Sequence, residues 1–216
     1  LSVSSAASDV YKRQVVMTRW PASGRCKRRL AQTLGASPAA RIQSRLIAHT
    51  LTVAQNVAAQ HRLHLHVAVS GAGPRARQRW LASLPQARVI GQGHGGLGNR
   101  MRREVLRAKT VHPGSPVILI GTDLPDLEER DLAQAIEALK QAPVVLGPSQ
   151  DGGYWLLGLD GSGPGAPRWP FHSMPWGTDR VCHVTRERAR RHGVEPAELV
   201  ARNDIDQLND LTAWLQ

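Results

Sequence analysis

The sequence contains few cysteines, few aromatic residues and no long apolar run. Its two cysteines, Cys26 and Cys182, are far apart and form no CxxC pattern, so neither a disulfide framework nor a zinc site is indicated. No apolar run approaches the ~20 residues that a membrane-spanning helix requires. Aromatic residues make up 4% of the chain, and the arginines are not interleaved with them as in nucleic-acid-binding motifs. We therefore expect a cytoplasmic protein with no membrane span and no nucleic-acid partner.

Acidic residues are scarce in the first half of the chain. Up to residue 110, 19 Lys and Arg residues face only Asp9 and Glu104, whereas residues 111–216 carry 9 basic and 15 acidic residues. Arginine supplies 24 of the 28 basic residues, and its guanidinium fork suits phosphate oxygens. A basic phosphate-binding half beside an acidic metal-binding half favours a nucleotide diphosphate ligand. A compositional bias without function is the alternative.

Strand and helix patterns alternate from about residue 15 to the end. The repeated βα units predict a single α/β domain over residues 15–216, with a mostly parallel sheet flanked by helices. Residues 1–14 lack an initiator Met and a signal-peptide segment, and we expect them to be a non-native or disordered leader.

Several local expectations accompany this pattern. Ser37 is predicted to cap a long helix, and Asp126 to cap the helix that begins near Glu128. The alternation in Leu63–Val69 predicts a half-buried strand whose two histidines form either a polar face or a metal pair. The Gly/Pro-rich segment 161–170 is a candidate active-site flap.

The most informative chemical signal is Asp123. It follows the β-branched and leucine run Val117–Ile120 and lies in a Pro-containing turn. Such a run is typical of a strand buried on both faces, and ligands of open α/β sheets bind beyond the carboxyl ends of these strands. Asp123 is therefore the first candidate for catalysis and for holding Mg²⁺ or Mn²⁺, hard ions that prefer oxygen ligands. A structural turn is the alternative.

A second acidic turn begins at Asp151. The following Gly152 and Gly153 allow close backbone approach to a ligand beside Tyr154. Asp151 suits three roles: a general base for an acceptor hydroxyl, a second metal ligand, or a turn-forming residue. Trp176 and Thr178 are candidates for an acceptor pocket together with Gly152, Gly153 and Tyr154, although a simple core role for Trp176 is the alternative.

The loop after the first strand is the candidate phosphate site. Arg25, Lys27 and Arg29 supply charge there, and backbone N–H groups near Gly24 supply hydrogen bonds. A solvated basic turn is the alternative. Near the C-terminus, Asp204 and Asp206 are candidates for a further metal-binding carboxylate, and Asp206 is the predicted metal ligand; the alternative for Asp206 is to cap the last helix.

These residues together resemble a bacterial family of proposed glycosyltransferases with the glycosyltransferase-A fold, whose members are named for arsenosugar biosynthesis. Five motifs in order carry the resemblance: Trp20-Pro21-x-x-Gly24-x-x-Lys27-x-Arg29-Leu30, Gly121-Thr122-Asp123-x-Pro125-x-Leu127, Asp151-Gly152-Gly153-Tyr154-x-Leu156-x-Gly158, Pro175-Trp176-x-Thr178 and Asp204-Ile205-Asp206. The resemblance implies transfer of a sugar from a nucleotide-diphosphate donor to a small-molecule acceptor.

The chain departs from this family in its Gly-rich segment. The family usually has an Asp and a Glu there, whereas residues 92–101 read Gln-Gly-His-Gly-Gly-Leu-Gly-Asn-Arg-Met. The change makes Arg100 the candidate ligand contact in this segment. Two other functions stay open: a nucleotidyltransferase, which generally has a Gly-x-Gly-x-Arg loop where this chain has Pro21-x-x-Gly24, and a catalytically inactive nucleotide-binding module.

Overall fold

The computed structural model describes residues 12–84, 86–162 and 166–212. Most of the leader predicted at residues 1–14 lies outside this part of the chain. The first strand begins at Arg13, two residues before Val15, and the side chains of Arg13 and Gln14 are buried. The first strand therefore includes two residues of the segment predicted as a leader, because local sequence does not show which neighbouring strand pairs with the beginning of β1.

Seven strands and seven helices are formed by the described residues. The strands are β1 (Arg13–Arg19), β2 (His64–Ser70), β3 (Ala87–Gly91), β4 (Val117–Ile120), β5 (Val144–Pro148), β6 (Tyr154–Leu159) and β7 (Ala197–Glu198). The helices are α1 (Arg28–Leu34), α2 (Ala36–Gln60), α3 (Pro74–Ser83), α4 (Leu97–Val111), α5 (Glu129–Ala138), α6 (Val181–Arg191) and α7 (Leu208–Thr212).

The strands form one sheet in the order β3-β2-β1-β4-β6-β5-β7. All pairs are parallel except those of β6, which runs antiparallel to both β4 and β5. The predicted single α/β domain with a mostly parallel sheet is confirmed. Because β6 is reversed, its first residue lies at the same edge of the sheet as the carboxyl ends of β1 and β4. The turns that contain Asp123 and Asp151 therefore lie at the same edge of the sheet.

Helices cover the two faces of the sheet. Val16 of β1 packs in a core with α2 and α5, whereas its neighbour Val15 points to the other face and packs with α4 and α6. β4 is buried along its whole length, as the run Val117–Ile120 predicts. β2 is more buried than its alternation predicts: after His64, the side chains from Leu65 to Val69 are all buried.

Two helix caps differ from the predictions. α2 begins at Ala36 with Gly35 at the N-cap, so Ser37 lies within the first turn. α5 is capped by Glu128, which forms a reciprocal capping box with Asp131. Asp126 instead accepts a hydrogen bond from Arg202 at 3.0 Å. Arg202 comes from the far end of the sequence, so this contact has no local signature.

The described residues of the predicted flap do not lie over the acidic turns. Gly161 packs so closely on Gly114 that an added Cβ would lie 1.4 Å from the Gly114 carbonyl oxygen. Gly114 precedes β4, so this contact lies at the opposite edge of the sheet from Asp123. Farther along, Trp169 stacks on His192, which follows the distal end of α6. The described part of the loop therefore packs away from the candidate site. No helix of the described residues has the length and apolarity needed to cross a membrane.

Candidate functional site

Two adjoining cavities lie at the edge of the sheet where β1 and β4 end and β6 begins. The first, which we call the basic cavity, has a volume of about 470 Å³. Its lining is formed mainly by the β1–α1 loop, the start of α4 and the β4 turn: Met17, Thr18, Arg19, Arg25, Cys26, Lys27, Arg28, Arg29, Gln43, Ser70, Gln92, Leu97, Arg100, Thr122, Asp123 and Asp206. Six cationic side chains thus face one space that contains two carboxylates.

The second cavity, the aromatic cavity, has a volume of about 280 Å³. It is lined by Met17, Leu97, Met101, Leu119, Ile120, Gly121, Asp123, Asp151, Gly153, Tyr154, Trp155, Trp176, Gly177, Thr178 and Val181. Met17, Leu97 and Asp123 line both cavities. Asp123 is therefore the polar group at which a ligand in the basic cavity would meet a ligand in the aromatic cavity.

Asp123 is held by a lysine from the β1–α1 loop. Lys27 adopts a left-handed backbone conformation (φ 44°) at the N-cap of α1, and its Nζ lies 2.5 Å from Asp123 Oδ1. The same ammonium donates to the Ile205 carbonyl, and the Ile205 amide donates to the Asp123 carbonyl at 2.9 Å. The Lys27 side chain is 6% exposed, whereas Asp123 is 48% exposed. Lys27 therefore neutralises a carboxylate that remains open to the cavities.

The remaining predicted phosphate contacts lie around the rim of the basic cavity. Arg25 is exposed and lines the cavity without an ion pair to any described residue. Arg29 lies 2.6 Å from Asp206. Gly24 has a positive φ of 74° in the preceding turn and does not itself line the cavity. Gly24 therefore contributes through its backbone conformation, which sets the path of the chain that carries the following arginines.

Arg100 lies on α4 and enters the basic cavity from the opposite side. Its Nη1 donates to Gln92 Oε1 at 2.9 Å, and its buried Nε has no hydrogen-bond partner. Burial and the neighbouring Arg19 and Arg103 lower the pKa of Arg100. Gln92 in turn donates to the carbonyls of Thr18 and Ala68, each at 2.8 Å. The buried Gln92 side chain thus holds the Arg100 guanidinium in position near the ends of the strands.

Three buried polar side chains under the basic cavity were not predicted as site residues. Thr18 and Thr122 hydroxyls lie 3.2 Å apart, and Gln43 Nε2 donates to Thr122 Oγ1 at 3.3 Å. Thr18 and Thr122 each lie near the carboxyl end of a buried strand, which is a readable signal. Gln43 interrupts the apolar face of α2, and a polar residue on such a face also indicates contact with a site.

Asp151 lies in the β5–β6 turn. Its Oδ1 accepts a hydrogen bond from the Gly153 amide at 2.8 Å, and the exposed carboxylate lines the aromatic cavity. Asp151 therefore stabilises the turn and also lies at the candidate site. Gly152, predicted beside the acceptor, does not line the cavity: its backbone packs on Asp179, and its carbonyl accepts from Cys182 at the start of α6.

The aromatic cavity contains the other residues predicted for an acceptor pocket. Tyr154 and Trp176 meet edge to face with ring centroids 6.2 Å apart. The Tyr154 hydroxyl is buried without a hydrogen-bond partner, and burial raises the pKa of Tyr154. Thr178 donates to the Pro175 carbonyl at 2.8 Å and thereby closes the turn after Trp176. The wall is thus apolar, with few polar groups.

The charge of Asp204 interacts unfavourably with the charges of Asp151 and Asp123. Burial, followed by the charges of Asp151 and Asp123, raises the pKa of Asp204 to about 6. Asp206 pairs with Arg29. The backbone amides of residues 206 and 207, just before α7, donate to the side chain of Asp210 within that helix, so Asp206 does not cap it. Of the two acidic residues in this segment, Asp204 is the one whose pKa is raised by the charges of the other carboxylates, whereas Asp206 lines the basic cavity together with Asp123.

These carboxylates suit a hard divalent cation only in part. The described residues contain no group of three His, Cys, Asp or Glu side chains arranged to hold one metal ion. Mg²⁺ commonly uses one or two protein carboxylates and completes its coordination with substrate phosphates and water. The exposed Asp123 beside the mutually repelling Asp204 and Asp151 fits that arrangement. A ligand phosphate would therefore be part of the metal site.

The segment that lacks the two expected acidic residues forms the entry to α4. Gly93 and Gly95 have positive φ, and Gly96 is the N-cap without a side-chain hydrogen bond. Gly98 packs against the Phe171 carbonyl, where an added Cβ would lie 2.1 Å from the oxygen. This turn therefore brings α4 close to the loop that carries Trp176.

Comparison with solved structures identifies the class of fold. A proposed nucleotide-diphospho-sugar transferase from Desulfovibrio desulfuricans G20 is 27% identical, with a TM-score of 0.80 over 94% of this chain and 86% of that chain. The inositol-1-phosphate CTP transferase from T. maritima is 13% identical, with a TM-score of 0.53 over 94% of each chain. The fold is that of the nucleotide-diphospho-sugar transferases.

A third structure of this fold is glucosyl-3-phosphoglycerate synthase from Mycobacterium tuberculosis, solved with Mn²⁺, uridine diphosphate and glucosyl-3-phosphoglycerate. It is 12% identical, with a TM-score of 0.52 over 94% of this chain and 75% of that chain. No curated protein matches the sequence. Residues 52–178 match the family described as "Uncharacterized protein conserved in bacteria (DUF2064)", and the chain belongs to that family.

Proposed function

We propose that this protein is a metal-dependent glycosyltransferase that moves a sugar from a nucleotide-diphosphate donor to a small-molecule acceptor. The observation that carries the proposal is the meeting of the basic and aromatic cavities at Asp123. A transferase needs its donor and acceptor to meet at one reacting bond. The 27% identical relative, itself a proposed nucleotide-diphospho-sugar transferase, supports the same class of reaction.

The basic cavity suits the diphosphate of the donor. The leaving nucleoside diphosphate gains negative charge as the sugar departs, and fixed cations stabilise that charge. Arg25 on the β1–α1 loop, Arg28 at the start of α1 and Arg100 on α4 face the cavity from two sides. In this proposal they bind the phosphate oxygens, while the buried Gln92 keeps Arg100 in place.

Asp123 would hold Mg²⁺ or Mn²⁺ against the same phosphates, with Asp206 or Asp204 as the further carboxylate. The ion, when bound, supplies further charge neutralisation to the leaving group. Lys27 forms an ion pair with Asp123 in the structure. A metal ion that binds Asp123 would therefore compete with the Lys27 ammonium. Lys27 then becomes available to the phosphates. Its role in the proposal is to neutralise Asp123 before the donor and metal arrive.

Asp151 is the candidate base for the acceptor hydroxyl. Its carboxylate lines the aromatic cavity near Tyr154 and Trp176, which offer apolar surface to an acceptor. The Gly153 amide holds Asp151 Oδ1 and thereby restricts the rotation of the carboxylate. A role in arsenosugar biosynthesis is part of this proposal and rests on the sequence resemblance alone. A cytoplasmic location likewise stays a prediction.

A nucleotidyltransferase is the second candidate, since the T. maritima CTP transferase shares the fold. It would use the basic cavity for a nucleoside triphosphate. The two reactions release different products. Purified protein is incubated with Mn²⁺ and either nucleotide sugars plus a cell extract or nucleoside triphosphates plus sugar phosphates. We expect nucleoside diphosphate from the first mixture, in amounts that fall sharply in Asp123→Asn. Pyrophosphate from the second mixture would instead establish the nucleotidyltransferase.

A further inference from the structure

A second strongly basic cavity lies outside the candidate transferase site. This space, the arginine groove, has a volume of about 690 Å³ and lies between β3, the α4 helix and the beginning of β1. It is lined by Arg13, His66, Arg77, Arg88, Val89, Ile90, Gly91, Arg103, Leu106, Arg107, Thr110 and Val111. It shares no lining residue with the basic cavity or the aromatic cavity.

Five guanidinium groups line the groove, and none of its lining residues is acidic. Glu104 of α4 supplies a compensating charge: it is buried and accepts from Arg107 at 2.6 Å. Arg77 and Arg88 form no hydrogen bond through their side chains and no ion pair with any described residue. The positive charge of the groove is therefore largely uncompensated within the described part of the chain.

Arg13 is a buried member of this group of positive charges. The residue is 4% exposed; its Nη1 makes only a long contact of 3.4 Å to the Arg107 carbonyl, and its Nε is buried without a partner. Burial and then the charge of Arg88 lower the pKa of Arg13. A buried cation without an anionic partner is costly, so this arrangement favours an external anion.

The positive charges of the groove also affect His66. Its pKa is lowered to about 3, first by burial and then by the charges of Arg13 and Arg88, with smaller effects from His64 and Arg107. The imidazole is therefore neutral over the physiological range and can accept or donate one hydrogen bond to a bound ligand. No acidic side chain lines the groove to attract a cation.

We propose that the arginine groove is a binding site for a small polyanion with several phosphate groups, separate from the transferase site. Guanidinium forks bind phosphate oxygens with two parallel hydrogen bonds, and Arg77 and Arg88 supply two such forks from α3 and β3. The volume lies within the ~300–1,000 Å³ typical of small-molecule sites. The ligand would bring Arg13 the counter-charge that the described residues do not supply.

The groove abuts the transferase site through one short segment. Arg107 Nη1 donates to the Gly91 carbonyl at 3.0 Å, and Arg103 donates to the carbonyls of Gln92 and His94. The side chain of the same Gln92 holds Arg100 in the basic cavity. Arg103 and Arg107 thus separate the two sites, and tests must treat the two groups of arginines independently.

Calorimetric titration with inorganic tripolyphosphate at physiological salt tests the proposal, because salt screens diffuse surface attraction. The Arg77→Ala/Arg88→Ala variant removes two side chains that are not buried. We expect binding to the groove to weaken about 10- to 100-fold, as for the loss of charge-assisted hydrogen bonds. The matched control is Arg75→Ala/Arg79→Ala, which removes the same charge from exposed positions near Arg77. Circular dichroism and thermal melts verify that both variants fold.

A variant of the basic cavity, Arg25→Ala/Arg28→Ala, separates the two sites. We expect it to keep the tripolyphosphate binding that Arg77→Ala/Arg88→Ala loses, whether or not the basic cavity also binds the probe. The proposal is overturned if Arg77→Ala/Arg88→Ala binds tripolyphosphate as tightly as wild type. It is equally overturned if the Arg75→Ala/Arg79→Ala control weakens binding as much, because the attraction then comes from net charge alone.

Discussion

Replacing Asp204 by Asn removes a charge that interacts unfavourably with the carboxylates of Asp151 and Asp123. The pKa of Asp204 is raised from 3.8 to about 6, which corresponds to about 3 kcal/mol at ~1.4 kcal/mol per pKa unit. Because the side chain is only partly buried, solvent screening reduces the expected effect to about 1–2 kcal/mol. We expect Asp204→Asn to be more stable than wild type by this amount near neutral pH.

The pH dependence of this difference follows from the direction of the shift. The folded state binds the Asp204 proton more tightly than the unfolded state. Protonation therefore contributes stability that is complete below about pH 4 and is lost as the pH rises through about 6. The advantage of the Asn variant should be largest near pH 7.5 and should fall by about half near pH 5.

Urea unfolding of both proteins at these two pH values measures the effect. Asp206→Asn is the control, because it removes the same charge two residues away but breaks the exposed pair with Arg29. We expect that variant to lose less than about 1 kcal/mol. An Asp204→Asn protein no more stable than wild type near pH 7.5, or a difference independent of pH, would contradict the proposed repulsion.

Two further substitutions test the acceptor side of the site. Asp151→Asn keeps an oxygen that can accept from the Gly153 amide, so we expect unchanged donor affinity and a ~10²–10⁴-fold lower turnover in the nucleoside diphosphate release assay; wild-type turnover would leave Asp151 as a turn residue only. Gly98→Ala should lower the free energy of unfolding by about 1–3 kcal/mol because its Cβ would meet the Phe171 carbonyl. Gly96→Ala, with no atom within 4 Å of its Cβ, should cost far less in the same urea titration.

Local patterns were enough to predict most of the elements. The run Val117–Ile120 forms the fully buried β4. The acidic turns after β4 and before β6 reach the same edge because β6 is antiparallel. The strand order itself depends on pairings between distant segments, and no local pattern contains that information.

The parts of the site that escaped prediction depend on contacts between residues far apart in sequence. Lys27 was expected to face phosphate, yet its ammonium binds Asp123 and the Ile205 carbonyl. Asp206 was the candidate metal ligand in this segment, and only the folded chain shows that Arg29 pairs with Asp206 and that the charges of Asp151 and Asp123 raise the pKa of Asp204. The roles of these residues follow from how the C-terminal segment packs on β4.

The central claim is that a nucleoside diphosphate and a divalent cation bind together at Asp123. Calorimetric titration with nucleoside diphosphates, in Mn²⁺ and then in EDTA, measures this directly. Asp123→Asn is compared with Asp126→Asn, a change in the same turn that affects only a pair with Arg202 among the described residues. We predict binding that EDTA abolishes in wild type and in Asp126→Asn, and that is lost in Asp123→Asn even with Mn²⁺. Equal affinity with and without metal, or full binding by Asp123→Asn, would contradict the account.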